Sequence, residues 1–215
     1  MLQGVPLPYI LGHWDFFGRS FKITPDVLIP RPETELLVEL ALHSIVDQHQ
    51  AVIVDVGTGS GAIAVSLAAE LPEANITALD YSLSALKVAQ LNAKLHTQYQ
   101  IHFVQSDLLT PFRVQFDLIC ANLPYVPRER LNSLSVSRWE PRLALDGGES
   151  GLDVILKLLH QAQTRLAPGG KVLLEIESSL GENALTASRT VFPDAHTTCH
   201  KDLAGHDRVI EIHLN

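Results

Sequence analysis

Short apolar runs alternate along the chain with longer segments in which apolar residues recur at about every third or fourth position. The short runs are typical of buried strands, and the longer segments are typical of helices that cover a sheet. The predicted strands occupy residues 51–57, 75–80, 101–107, 116–122, 171–177, 196–200 and 208–214. The predicted helices occupy residues 32–49, 61–71, 82–96, 151–166 and about 180–190. This alternation predicts an α/β fold with a doubly wound, mostly parallel seven-stranded sheet.

The N-terminal segment has a different composition, rich in glycine, proline and aromatic residues. The stretch WDFFGRSFKI, residues 14–23, predicts a short hairpin turned at Gly18 and Arg19. A loop with two prolines, VLIPRP, follows the hairpin. We therefore expect residues 1–31 to form an N-terminal β-hairpin arm and residues 32–215 to form one domain.

Charge and composition limit the partners and the compartment that we expect. The chain carries 16 basic and 24 acidic residues, a net charge of -8, which disfavours a general nucleic-acid binder. Its two cysteines are far apart, and Cys120 lies in an apolar run, as is typical of a reduced, cytoplasmic protein. The sequence has neither a run long enough to cross a bilayer nor a signal peptide, and its ten histidines do not have the spacing of metal ligands. We expect a cytoplasmic protein without membrane contact or a metal ion.

The first informative strand end carries glycines. In a doubly wound sheet, ligands bind beyond the carboxyl ends of the strands. The strand at residues 51–57 ends in DVGTGSGA, where glycines permit close approach of a ligand and the next helix offers free N–H groups. This loop indicates a nucleotide-like ligand. Its spacing also satisfies G-x-G-x-x-A through Ala62, so the loop alone leaves a nicotinamide dinucleotide open.

Acidic residues end the next two strands. Asp80 is placed to accept hydrogen bonds from both hydroxyls of a ribose. The alternative is that it caps the next helix, a role that Ser82 can also fill. Asp107 is placed to accept a bond from an adenine amine while Leu108 packs on the ring, although a plain loop aspartate is nearly as good an interpretation.

The strand at residues 116–122 ends in the tetrapeptide NLPY. If an adenosine-bearing cofactor lies across the first three strands, its reactive end projects towards Asn122. An amide nitrogen is a poor nucleophile because its lone pair is delocalised, so a site that methylates one has to hold the NH2 group. The side-chain oxygen of Asn122 and the carbonyl of Leu123 provide two acceptors, Pro124 stiffens the turn, and Tyr125 offers a flat face. A simple Asn-Pro turn after a strand is the alternative.

Several stretches together resemble known families. DVGTGSGAIA, Asp80, SDL and NLPY resemble the class I methyltransferases that use S-adenosylmethionine. IPRPETE, EPRLALDGGESGLD and DLAGHDRVIEI narrow the match to the HemK/PrmC family, the glutamine methyltransferases of peptide-chain release factors, and the resemblance covers essentially the whole chain. It implies a Rossmann-like sheet, S-adenosyl-L-methionine as cofactor, and the glutamine of the Gly-Gly-Gln loop of class I release factors as substrate.

The resemblance also implies a role for each motif residue. The residues expected to bind the cofactor are Gly57, Thr58, Gly59, Ser60, Gly61, Asp80, Asp107, Leu108 and Asn122. The residues expected to hold the glutamine are Asn122, Leu123, Pro124 and Tyr125, and among these Asn122, Pro124 and Tyr125 are the expected catalytic residues. Arg31 and Glu33 in the LIPRPET loop are expected to wall the active site near the methyl group.

Three departures from the family pattern change these expectations. Leu123 replaces a usual proline, which is tolerable because that position contributes a backbone carbonyl. Glu177 and Leu180 stand in place of a glycine and a glutamine, which predicts a different edge of the cofactor pocket. The usual N-terminal helical domain is absent from this sequence, which predicts weaker recognition of the release factor.

Alternatives from other classes remain at this point. NLPY also suits an adenine-N(6) nucleic-acid methyltransferase, against which stand the net charge of -8 and the lack of an insertion for flipping a base. A non-catalytic S-adenosylmethionine-binding subunit would have no need of the amide acceptor at Asn122. A nicotinamide dehydrogenase would be distinguished by cofactor titration.

Overall fold

In the computed structural model, which describes residues 4–45, 48 and 50–215, the chain begins with a helix and a hairpin. Helix α1 (Leu7–Leu11) precedes the antiparallel strands β1 (His13–Phe16) and β2 (Arg19–Lys22). Residues 1–3 of the predicted arm and residues 46, 47 and 49 of the first predicted helix lie outside the described residues.

Within the described residues, seven further strands form one sheet. These strands are β3 (Val52–Val56), β4 (Asn75–Asp80), β5 (Ile101–Gln105), β6 (Phe116–Ala121), β7 (Leu166–Glu175), β8 (His196–Lys201) and β9 (Asp207–His213). Their order across the sheet is β5-β4-β3-β6-β7-β9-β8. The first five strands in this order are parallel, and β9 runs antiparallel to both β7 and β8. The predicted α/β fold with a mostly parallel seven-stranded sheet is therefore confirmed.

Helices cover both faces of this sheet. They are α2 (Glu35–Ile45), α3 (Ala62–Glu70), α4 (Leu83–His96), α5 (Asp153–Ala162) and α6 (Gly181–Val191). Because successive strand residues point to opposite faces, Ile53 packs with α2, α3 and α4, while Val54 packs with α5 and α6. The two apolar cores fix the carboxyl ends of β3, β4, β5, β6 and β7 along one edge. None of the helices in the described part of the chain is long and apolar enough to cross a membrane.

The turn of the hairpin lies one residue earlier than predicted. Phe16 pairs with Arg19, so the turn consists of Phe17 and Gly18 rather than Gly18 and Arg19. Phe17 has φ 48° and Gly18 has φ 70°, as two-residue hairpin turns that match the strand twist require. The prediction was wrong because an aromatic residue is an unusual occupant of a left-handed turn position.

The segment before β7 also differs from its prediction. The helix predicted for residues 151–166 ends at Ala162, and residues 168–170 belong to the start of β7. Phe116 pairs with Leu166 and Leu118 with Lys171, so β7 carries extra residues there. Gly169, with φ 71°, accommodates this irregularity. The sequence had predicted residues 168–170, Pro-Gly-Gly, as the end of the helix and not as part of a strand.

The hairpin packs against the body of the fold. Phe16 and Phe21 are buried in the same core as residues of α2, α3 and α4. Asn92 on α4 accepts from the Lys22 N–H over 2.7 Å and donates to the Lys22 carbonyl oxygen over 3.0 Å. The arm is therefore held against α4 and the core that it shares with α2 and α3.

Candidate active site

The glycine loop joins β3 to α3. The backbone N–H groups of Gly57 and Thr58 donate to the Leu79 carbonyl oxygen over 2.9 and 2.7 Å. Gly57 has φ 76°, and a Cβ atom there would lie 3.0 Å from Cδ2 of Leu123. The loop therefore depends on glycine at this position, because a side chain would clash with the tetrapeptide that follows β6.

Asp55 lies beneath the glycine loop and is fully buried. Its Oδ2 accepts from Thr58 Oγ1 over 2.6 Å and from the Ala64 N–H over 3.2 Å. Burial raises the pKa of Asp55 to about 7, against the effect of these hydrogen bonds and with a smaller increase from Asp80. Its Oδ1 has no hydrogen-bond partner among the described residues. Asp55 thus holds Thr58 and the start of α3 in place.

Asp80 stands at the end of β4, next to the glycine loop. Its Oδ2 accepts from the Gly59 N–H over 2.9 Å, and its Oδ1 accepts from the Ser82 N–H over 2.8 Å. Ser82 caps α4, since its Oγ accepts from the Ala85 N–H over 3.2 Å. Burial raises the pKa of Asp80, while the hydrogen bonds oppose the increase. Because a carboxylate has about four lone-pair sites, both oxygens of Asp80 retain capacity for ligand hydroxyls.

Asp107 and Leu108 follow β5. The Asp107 carboxylate accepts from Lys157 Nζ over 2.6 Å, and both side chains are about half exposed. Leu108 is buried and has φ 53°. Leu108 therefore provides an apolar wall, whereas Asp107 forms an ion pair with Lys157.

The tetrapeptide after β6 occupies the centre of the site. Asn122 donates through Nδ2 to Thr34 Oγ1 over 3.2 Å, Leu123 is buried, and burial raises the pKa of Tyr125 to about 12. The DGGESG loop packs on the Tyr125 backbone, because a Cβ atom on Gly147 would lie 2.7 Å from its Cα. This packing fixes the backbone that follows Asn122.

Asn122 lines each of three cavities formed by the described residues. The glycine-loop cavity contains residues 57–60, Asp80 and Arg31. The Leu108 cavity contains Asp80, Asp107, Leu108 and Pro124. The Tyr125 cavity contains Arg31, Tyr125, Arg130, Glu140 and Leu145. Asn122 therefore stands where a ligand along the strand ends would meet a second ligand entering beside Tyr125.

Arg31 and Glu33, the two residues of the LIPRPET loop that were predicted to wall the active site, have different surroundings. Arg31 donates through Nη2 to both carboxylate oxygens of the buried Glu140, each over 2.7 Å. Glu33 is exposed and, among the described residues, lines none of the three cavities. Arg31 is thus a wall residue of the site, while Glu33 stands outside it.

Sequence reasoning missed Glu140, Glu175 and Asn92. Glu140 pairs with Arg31 across 109 positions of the chain, and the only signal for it was the EPRLALDGGESGLD motif. Glu175 interrupts the apolar run VLLEIE at a strand end, and Asn92 lies on the buried face of α4. A charged or amide side chain at a position expected to be buried was the signal available for both.

The second departure from the family pattern, at Glu177 and Leu180, lies away from the expected edge of the cofactor pocket. Glu177 and Leu180 line the Tyr125 cavity. Neither residue belongs to the described lining of the glycine-loop or Leu108 cavities. The expected change at the edge of the cofactor pocket is therefore a change beside Tyr125. No group of three or more His, Cys, Asp or Glu side chains in the described chain is arranged to hold a metal ion.

Comparisons with known proteins agree with this architecture. Residues 33–137 match the family model described as "Methyltransferase small domain". A release factor glutamine methyltransferase from Moorella thermoacetica is 45% identical over 208 residues, which cover 95% of this chain and 74% of the relative. One from Geobacter sulfurreducens is 42% identical, with coverage of 95% and 72%.

A solved structure supports the fold. The crystal structure of the ribosomal protein L11 methylase from Lactobacillus delbrueckii subsp. bulgaricus has a TM-score of 0.65 and 22% identity, and the match covers 90% of this chain and 84% of that one.

Proposed function

We infer the activity from family membership: this chain belongs to the release factor glutamine methyltransferases, and we propose that it methylates the glutamine amide nitrogen in the Gly-Gly-Gln loop of a class I release factor. It is an S-adenosylmethionine-dependent methyltransferase. The observation that carries the proposal is the position of Asn122, which belongs at once to the glycine-loop, Leu108 and Tyr125 cavities.

The residues along the strand ends fit the cofactor. A side chain at Gly57 would fill the space against Leu123, so this backbone is open to close approach. The Asp80 carboxylate is oriented by the Gly59 and Ser82 N–H groups and suits the two ribose hydroxyls. We assign residues 57–61 to the methionine part of S-adenosylmethionine, Asp80 to the ribose, and Asp107 with Leu108 to the adenine.

The cofactor, when bound, supplies an electrophilic methyl group. The role of the protein is to present the glutamine nitrogen to this methyl group. In our proposal the Asn122 side-chain oxygen and the Leu123 carbonyl accept the two N–H bonds of the substrate amide, and Tyr125 supports its plane. By analogy with oxyanion-hole donors, each contact contributes about 3 kcal/mol in the transition state. Positioning supplies the remaining acceleration, and the extra proton leaves to water.

The Tyr125 cavity is the proposed entrance for the substrate. Arg31 is held on one wall by Glu140, and Leu145 and Leu134 contribute apolar surface. A glutamine preceded by two glycines suits this entrance, because residues without side chains let the loop backbone come close. We assign residues 1–31 as an arm whose last residues form the start of the LIPRPET loop, and we expect no direct contact with nucleic acid.

Mass spectrometry tests the proposal. A class I release factor incubated with the protein and S-adenosylmethionine should gain one methyl group on the Gly-Gly-Gln glutamine. The same factor with this glutamine changed to alanine is the control and should gain none. Methylation of an adenine in an oligonucleotide offered in parallel, with none on the factor, would refute the proposal in favour of the adenine-N(6) alternative.

A further inference from the structure

Glu175 ends β7 directly beside Asn122. The parallel pairing of Ala121 with Leu174 places Asn122 and Glu175 next to one another at the carboxyl ends of neighbouring strands. Glu175 is only 3% exposed, and its Oε2 has no hydrogen-bond partner among the described residues. The side chains of Thr34 and Asn122 lie close enough to this carboxylate to lower its pKa by hydrogen bonding, against the effect of burial. Burying a carboxyl group costs free energy unless its oxygens are hydrogen-bonded, so the partnerless Oε2 makes Glu175 a costly residue to keep at this position.

We propose that Glu175 is a positioning residue that orients the side-chain amide of Asn122 through Thr34 and by direct contact, so that the amide oxygen faces the substrate. This inference rests on the proposed function, because it concerns the acceptor that holds the substrate NH2 group. Glu175 itself does not line the glycine-loop, Leu108 or Tyr125 cavities formed by the described residues.

The direction of the hydrogen bonds carries the inference. The two ends of an asparagine amide have nearly the same shape, and only its partners decide which end points where. An ionised Glu175 is an acceptor only, so the Thr34 hydroxyl donates to it and uses a lone pair to accept from Asn122 Nδ2, 3.2 Å away. The amide nitrogen of Asn122 then points inwards. A reversed amide would set its NH2 group against the NH2 group of the substrate.

Protonation of Glu175 would remove the preference for this orientation of the Asn122 amide. A protonated carboxyl group carries its own donor, which allows the Thr34 hydroxyl to turn and donate to Asn122. Burial raises the pKa of Glu175 to about 7, the hydrogen bonds of Thr34 and Asn122 and the charge of Arg208 lower it, and Glu33 raises it. Glu175 in turn raises the pKa of Tyr125. Activity should therefore fall as the pH decreases through the neutral range.

The experiment compares Glu175→Gln and Thr34→Val with Thr34→Ser and with Glu182→Gln, an exposed glutamate of α6. With a Gly-Gly-Gln peptide, the first two variants should lose at least tenfold in kcat. The affinity of Glu175→Gln for S-adenosylhomocysteine should stay within twofold of the wild type, because Glu175 does not line the cofactor cavities formed by the described residues. Thr34→Ser keeps the hydroxyl and should retain most of the activity. Glu175→Gln should also lose the acidic limb of the kcat profile, which a loss of stability alone would not remove.

A second measurement needs no substrate. The Asn122 side-chain NH2 signals in a 15N spectrum, assigned by their loss in Asn122→Asp, should shift with a midpoint near neutral pH in the wild type and stay constant in Glu175→Gln. The inference would be overturned, while the proposed function stands, if Glu175→Gln had an unchanged kcat and its Asn122 NH2 signals still shifted with pH as in the wild type. A wild type that titrates as expected but does not methylate the peptide would instead contradict the proposed function.

Discussion

The Asn92 side-chain nitrogen donates to the carbonyl oxygen of Ser60 over 2.8 Å, which joins α4 to the glycine loop. The same side chain is bonded to both backbone polar groups of Lys22 in β2. Asn92 is fully buried, so these bonds have no water to replace them. One amide thus connects the hairpin, α4 and the loop that we assign to the cofactor.

Replacement of Asn92 by leucine should therefore affect both stability and cofactor binding. The substitution leaves the Lys22 N–H and two carbonyl groups without their partner, which should cost about 2–4 kcal/mol of unfolding free energy. Chemical denaturation measures this cost, and calorimetry with S-adenosylhomocysteine should show weaker binding. Gln90→Ala, on the exposed side of α4, is the control. Equal stabilities of the two variants would show that the buried bonds contribute little.

Asp80 should contribute to cofactor affinity through hydrogen bonds to a charged group. Asp80→Ala is expected to weaken binding of S-adenosylhomocysteine by about 1.5–3 kcal/mol in calorimetry. Asp107→Asn should have a smaller effect, because Asp107 is half exposed and paired with Lys157. NAD should not bind to the wild type. Tighter binding of NAD than of S-adenosylhomocysteine would contradict the assignment of the site.

Asn122 should separate cofactor binding from turnover. Asn122→Ala removes an acceptor that is needed mainly in the transition state, so kcat should fall by about two to three orders of magnitude. Affinity for S-adenosylhomocysteine should change little. Single-turnover rates with a Gly-Gly-Gln peptide measure the effect, with Asn183→Ala on the exposed face of α6 as the control. If Asn122→Ala turns over at a nearly normal rate, Asn122 does not hold the amide.

The sequence predicted the parts of the site that directly follow strands. The glycine loop, Asp80 and Asn122 stand there because the alternation of strands and helices identifies the carboxyl edge of a parallel sheet. The pairing of Arg31 with Glu140 was out of reach, since no periodic pattern relates residues that are 109 positions apart. Glu175 and Asn92 were missed for another reason. Each occupies a buried position that apolar periodicity assigns to the core, and only the tertiary fold supplies its polar partners.

Asp55 should make the stability of the protein depend on pH with a known sign. Burial raises its pKa in the folded state from 3.8 to about 7. In the range between these values the folded state binds more protons than the unfolded state, so stability falls as the pH rises, and the loss is complete above about pH 7. Asp55→Asn removes this loss, because an amide does not ionise and can still accept from Thr58 and Ala64. Relative to the wild type, the unfolding free energy of the variant should gain up to roughly 4 kcal/mol between pH 4 and pH 8.

Denaturation curves at a series of pH values measure the gain as a difference between variant and wild type, in which the contribution of Glu175, of the same sign, cancels. Asp15→Asn, at an exposed position of β1, controls for the loss of one negative charge. If the unfolding free energies of Asp55→Asn and the wild type changed with pH by the same amount, the buried carboxyl group would titrate alike in the folded and unfolded states.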